Sequence, residues 1–579
     1  MSFDIVAASR VETEDARPWR HAFQVGAQLG LAGFMLALVG ILGMFNNRPI
    51  IVGVLTLGYA TLGLVYASIG IVAARRHLFA SAGQTVLAGA AAGLLAAAIV
   101  AILPLAMSLI NLRTIFVALD PPLFKFLTFS RPTLLEGITV MLLLGAGLGA
   151  AGALLVELPG WLRRPLTGGL VASGMAGLFQ ELIRPVLANS STTKPLHDLI
   201  YTYTGMKPGG AVLMFVLGAI ATVLYTMVQP RMKARIDEMP AGSRRSLRGI
   251  GLAVAFVLFA LFPLYAGNFV GQVFLLVGLF MLMGMGLNIE VGLAGLLDLG
   301  FVAFYATGAY TTALLTANDA HALAQLTWWE AMPIAVLASV ILGVLFGVPV
   351  LKVRGDYLAV ATMGLGEIVR VIVLSDAAAP LLAGAKGILS IPRPNFFGLE
   401  LNTPVLLFYL ALASSLVAAY VAWRLEDSRL GRAWTAIRDD EDVAQALGIN
   451  LINVKLLAYG LGAAFAGLAG SIFATMLGSI YPHSFQLIIS INILALIIVG
   501  GMGSLPGVAL GSLVLIGLPE MLREFGEYRY LFYGLAIIAV MRLKPEGLWP
   551  SAAKRREIRA EQQLKQEVDA ELQREGAKA

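Results

Sequence analysis

The chain contains no cysteine, which excludes disulfides, thiolate catalysis and cysteine-based metal sites. Histidine is scarce, and His21, His77, His197, His321 and His483 are scattered without ligand spacing, so no metal site and no cofactor is expected. Charge is sparse too, with 13% Asp, Glu, Lys and Arg. No GxxxxGKS or GxxxxGKT run occurs, so the chain does not bind ATP through a P-loop of its own. HExxH and Ser/His/Asp arrangements are also missing, and no catalytic residue is expected. These absences point to a path rather than a chemistry.

What remains is apolar. Of the 579 residues 58% are hydrophobic, and the mean hydropathy is +0.82. A soluble globule of this length cannot hide so much apolar surface in one core. The fold class is therefore all-α, a polytopic helical protein of the lipid bilayer. The net charge of +6 implies no nucleic-acid partner, because basic residues of membrane chains collect in cytoplasmic loops.

Apolar runs predict about 16 transmembrane helices, at roughly 25–45, 50–73, 80–108, 133–157, 167–188, 208–228, 249–266, 269–288, 300–317, 331–351, 357–376, 404–424, 456–477, 488–503, 506–522 and 529–545. The 167–188 segment is the weakest, since Gln180, Glu181 and Arg184 lie inside it. The polar N-terminus carries Arg10, Arg17 and Arg20 and has no cleavable signal pattern. Counting from a cytoplasmic N-terminus places Arg75/Arg76, Arg163/Arg164, Arg231 to Arg248, Lys352/Arg354 and Arg542/Lys544 inside, with the C-terminus inside as well. The charged, Pro- and Gly-containing stretch 229–248 marks a boundary. It separates 1–248, an N-terminal segment plus a six-span unit without assigned role, from a core at 249–550. A charged tail follows at 551–579. Gly145, Gly147 and Ala150 match a loose GxGxxA, but inside an apolar span Gly145 and Gly149 read as helix-packing positions.

The longest polar excursion of the core is the loop 425–455. Within SRLGRAWTAIRDDEDVAQALGIN, Trp434, Ile437, Ala444 and Leu447 recur at helical offsets, and Arg438 and Asp442 lie beside them. The pattern predicts an amphipathic helix, or two short ones broken near Asp440, ended by Gly448. Such a segment is either a solvated connector or a docking element for a soluble partner. GLNIEVGLAGLLDLGFVAFYATGAY at 286–310 places Asn288, Glu290 and Asp298 among glycines. Irregular backbone of this kind is tolerated at membrane depth where it is buried in protein or lines a cavity, and a simple turn is the other reading. VRGDYLAVATMGLGEIVRVIVL at 353–374 puts Glu367 about 15 Å into its span, with Arg370 one turn on. The two either pair as a structural tie or belong to the translocation pathway. GGMGSLPG at 500–507 reads as a tight turn.

GLAGLLDLGFVAFYATGAY, RGDYLAVATMGLGEIVR, GRAWTAIRDDEDVAQALGIN and GGMGSLPGVALGS, in this order, resemble the larger, LivM-like permease subunit of bacterial branched-chain amino acid ABC importers, over about 265 to 550. The resemblance implies an inner-membrane permease that pairs with a second homologous permease subunit, two cytoplasmic ATP-binding subunits and a periplasmic substrate-binding protein. It also implies that 429–450 is the loop coupling the permease to the ATP-binding subunits. Asp442-Val443-Ala444-x-x-x-Gly448 there replaces the Glu-Ala-Ala-x-x-x-Gly form. Related permeases carry urea or short amides, and an ion-coupled secondary transporter would share the many spans and a midplane carboxylate.

Overall fold

The computed structural model describes residues 18–74, 81–189, 193–238, 240–350, 353, 355–523, 526, 529–552, 554–558, 560–561 and 563–564. Arg10, Arg17, Arg75, Arg76, Lys352, Arg354 and the tail beyond Leu564 lie outside the described residues. Apart from two short antiparallel hairpins and isolated bridges, the described structure is helical.

Twelve helices among the described residues are long and apolar enough to cross a membrane, or thirteen if a bent pair counts as one. That pair, α5 (Gly160–Leu178) and α6 (Gln180–Ala188), turns by 79°. It falls where the run 167–188 is interrupted by polar residues. Gln180 donates from Nε2 to the Pro49 carbonyl at 3.1 Å, and Arg184 pairs with Glu181 at 3.0 Å. The bend brings the Gln180 amide nitrogen onto a protein carbonyl, which a straight lipid-facing helix would not allow. Three other expected spans form shorter helices: α10 (Val302–Thr316), α18 (Leu505–Ser512, continued by a π turn to Met521) and α19 (Arg529–Leu543). A 15-residue helix rises only about 22 Å against a ~30 Å hydrocarbon layer. Among the described residues, twelve or thirteen helices are thus long and apolar enough to cross, beside the expected count of about sixteen.

The chain divides into two compact units, Met1–Val257 and Leu258–Ala579. The first is built on α1 (Pro18–Leu38), α2 (Leu57–Ala74), α3 (Ala82–Leu109) and α4 (Leu134–Glu157), followed by α5, α6 and α7 (Pro208–Glu238). Its core is a row of small residues, including Ala88, Ala92, Ala96 and Ala97, around the buried Tyr66. The α3–α4 contact is backbone on backbone: a methyl on Gly93 would lie 2.2 Å from the Gly145 carbonyl oxygen, and one on Gly149 would lie 2.3 Å from that of Gly89. These glycines are packing positions, as the sequence pattern suggests.

Helix α8 (Ala241–Ala266) leads into the second unit. There α9 (Asn268–Leu287) and α16 (Leu451–Leu477) are the most enclosed spans. Around them stand α10, α11 (Trp328–Val350), α12 (Asp356–Leu374), α13 (Pro404–Glu426), α17 (Leu487–Gly500) and α18. Two short helices, α14 (Arg429–Asp439) and α15 (Glu441–Ala446), join α13 to α16. Small residues again set the spacing. A methyl on Gly308 of α10 would fall 2.2 Å from the Gly467 oxygen of α16, and Ser415 of α13 donates to the Gly278 carbonyl of α9 at 3.1 Å.

Candidate functional site

The α14–α15 element is fixed at each end by its own side chains. Ser428 starts α14 by accepting from the Leu430 and Gly431 amides at 3.1 and 3.3 Å. Asp440 then ends α14 and caps α15, its Oδ1 accepting from Asp442 and Val443 at 2.9 and 3.0 Å. The break at Asp440 is therefore a designed corner. Gly448 closes α15 at φ +87°, with the Ile449 amide reaching the Ala444 carbonyl at 3.1 Å, and Asn450 caps α16 through the Asn453 amide at 3.1 Å.

Its apolar stripe faces inward. Trp434, Ile437 and Ala444 are buried within this chain, and the Trp434 indole donates to the Val454 carbonyl at 2.8 Å. Lys455, almost wholly enclosed, pairs with Glu441 at 2.6 Å. The three apolar residues are thus covered by this chain itself, with Trp434 fastened to the start of α16. Leu447 leaves the stripe: it is 77% exposed, because α15 ends at Ala446 and the terminal turn swings it outward. The outward surface includes Asp442, Val443 and Leu447.

Asn288, Glu290 and Asp298 sit at a π-helical turn, Asn288–Leu293, and the loop that follows it. All three are sealed in protein, at 2%, 0% and 1% exposure, and present no surface to a solute. Of the readings open for this glycine-rich stretch, the structure has backbone buried in protein. Asn288 Oδ1 accepts from the Gly503 amide at 2.8 Å, which ties the turn to GGMG. The Leu299 amide donates to Thr362 of α12 at 3.0 Å, and the Gly300 amide donates to Asp298 at 2.7 Å. Burial pushes the Asp298 carboxyl up to about 6, against the pull of the Gly300 amide and of its neighbour Glu290. Arg438 completes the set, donating from Nη1 to the Gly292 carbonyl at 2.6 Å while its stem covers Gly295. The four sequence motifs thus meet at one turn.

Glu367 and Arg370 stand apart from this cluster. They form a bidentate pair on α12, Arg370 Nε lying 2.9 and 3.0 Å from the two carboxylate oxygens. Their side chains remain 47% and 31% exposed. The cavity beside Arg370, lined also by Val302, Ala306, Tyr310 and Phe485, measures about 10 Å³, space for one water and far too little for an amino acid. Among the described residues no group of three or more metal-ligating side chains is present.

Sequence reasoning missed Thr362, Lys455 and Gly503. Each lies in a motif or beside the loop, but nothing local marks its distant partner.

Residues 269–541 match the family described as branched-chain amino acid transport system / permease component. The chain is 39% identical over 295 residues to the high-affinity branched-chain amino acid transport system permease protein LivM of Salmonella typhimurium, covering 47% of this chain and 68% of the relative. It is 37% identical over 322 residues to LivM of Escherichia coli, covering 52% and 74%. The permease protein LivH of the Escherichia coli system is 33% identical over 124 residues, 21% of this chain and 40% of LivH. No solved structure matches.

Proposed function

Since the chain belongs to the family of branched-chain amino acid transport permeases, we propose that it translocates branched-chain or other hydrophobic amino acids across a bacterial inner membrane, driven by ATP hydrolysis on partner subunits. Its partners in this reading are a second homologous permease, two cytoplasmic ATP-binding subunits and a periplasmic substrate-binding protein. The observation that carries the reading is the fastening of α14–α15. A lever must be stiff inward and exposed outward, and this element is held at Val454, Lys455 and Gly292 while Asp442, Val443 and Leu447 are exposed on its other side. Displacing the outward face moves Arg438, and with it the π turn to which the other motifs are tied. An anchored short helix with charged register pins is a common docking mode.

The matched family region lies wholly within the second unit, which supports assigning the transport role to that unit. The Glu367–Arg370 pair supports a second permease beside α12. A charge facing lipid at midspan costs about 2.5–3.5 kcal/mol, so the exposed pair calls for protein or water against it. A path wide enough for an amino acid is then shared between two permeases.

The test is uptake into proteoliposomes holding the chain with its partners. Leucine should enter only when ATP is supplied, whereas urea should not compete. Leucine uptake driven by a proton or sodium gradient alone refutes the ATP-driven reading, and urea uptake reassigns the solute.

A further inference from the structure

Glu290 is a fully buried carboxyl, and neither of its oxygens meets a protein donor. Its Oε1 is pressed against Gly462 of α16, where a methyl would stand within bonding distance. Asp298 lies within hydrogen-bonding reach of it and is equally buried. Asp298 Oδ1 is satisfied by the Gly300 amide, but its Oδ2 has no partner. The hydroxyl of Tyr459, one turn from Gly462, is buried and unpartnered too, and it feels the charge of both carboxyls. Four unsatisfied oxygens therefore converge at one place that protein seals from water.

Among the described residues no cation neutralises them. On α16, Lys455 is committed to Glu441; on α14, the Arg438 guanidinium goes to the Gly292 carbonyl. From α12 comes Thr362, from the 500–504 turn the Gly503 amide that Asn288 takes, and from α10 the buried Tyr305, which packs tilted and edge-on against Phe473 and Phe485. Neither carboxyl has an ion-pair partner among the described residues. Two bare carboxylates within hydrogen-bonding reach repel, and burial without a counter-ion compounds the cost. One proton resolves the arrangement, because a carboxylic acid can donate where a carboxylate cannot.

We propose that Glu290 and Asp298 form a single-proton site, in which Glu290 is kept as the acid and donates to Oδ2 of Asp298. The proton closes the π turn onto the loop that follows it. The same turn carries the carbonyl that receives Arg438, so loss of the proton sets like charges against each other at the inner end of the α14 contact. The site is independent of which solute is carried, and it is tested on the purified chain alone.

Two measurements decide it. In infrared spectra of the purified full-length chain at about pH 8, the wild type should show the C=O band of a protonated carboxylic acid, and Glu290→Gln should lack it. In thermal unfolding from about pH 6 to about pH 9, the wild type should lose several degrees that Glu290→Gln keeps, since the Gln amide donates to Asp298 at every pH. The sign follows from linkage: a proton bound in the folded state and lost on unfolding stabilises less as pH rises through the folded-state titration. A wild-type spectrum without a protonated carboxyl overturns the proposal, whether or not the variant folds. So does stabilisation of the wild type by sodium at constant pH that Glu290→Gln abolishes, which would make the four oxygens a cation site.

Discussion

Gly448 offers a graded test of how the α14–α15 element is held in register. Its φ is +87°, and a methyl built on it meets nothing within 4 Å. Space is therefore no obstacle there, and only the left-handed backbone resists a side chain. Gly448→Val should cost about 1–2 kcal/mol in holding the turn, with Gly448→Ala close behind. Gly448→Asn should cost a fraction of that, since asparagine tolerates the left-handed region. A cost of this size shifts an equilibrium by about 5- to 30-fold. The assay is binding of the ATP-binding subunits to the purified chain, read beside the ATP hydrolysed per leucine taken up. Affinity should fall in the order Gly, Asn, Ala, Val while the chain's own melting changes little. Equal loss with Asn and Val would show that space rather than backbone conformation is limiting, and no loss with Val would refute the role of the turn.

Removing the Arg438 side-chain donor by Arg438→Met should cost about 1 kcal/mol, the figure for a charge-assisted hydrogen bond discounted because the side chain is partly exposed. ATP hydrolysis should persist while leucine uptake per ATP falls, as measured in proteoliposomes. Trp434→Ala removes a fully buried indole and should cost about 3–5 kcal/mol; the yield of monodisperse protein in detergent should drop sharply, unlike that of the Gly448 variants. Glu367→Gln leaves Arg370 without its pair on an exposed span face. If the pair borders the shared path, uptake falls at normal yield; a drop in folded yield with normal specific uptake would make the pair only a tie.

Much of the helical layout was legible because a run of about twenty apolar residues has few alternatives to a span. The failures have local causes. At α5–α6 hydropathy averaged over Gln180 and Arg184, which instead bend the chain by 79° toward protein partners. At α10 and α18 the glycine-flanked runs were long enough in sequence but were shortened by irregular backbone and a π turn. In α14–α15 the stripe of Trp434, Ile437 and Ala444 correctly marked one face. Periodicity cannot say what covers a face, and the cover proved to be the chain's own α16. Leu447 fit the period but lies one residue past the end of α15, where the period no longer applies. Arg438 stands out in the sequence only as a charge; its acceptor lies 146 residues away and no local signal links the two. Glu290 and Asp298 stand out in the sequence as polar residues among glycines; that both are sealed without a counter-ion among the described residues is visible only in three dimensions.

The central claim is that the outward surface of α14–α15, and not its apolar stripe, receives the ATP-binding subunits. Copurification of those subunits with Leu447→Glu and Asp442→Lys tests it most directly, because both side chains are exposed. The predicted result is chain in the membrane at normal yield and melting temperature, with the ATP-binding subunits lost or with hydrolysis no longer coupled to uptake. Retention of both subunits with normal uptake per ATP in both variants would contradict it.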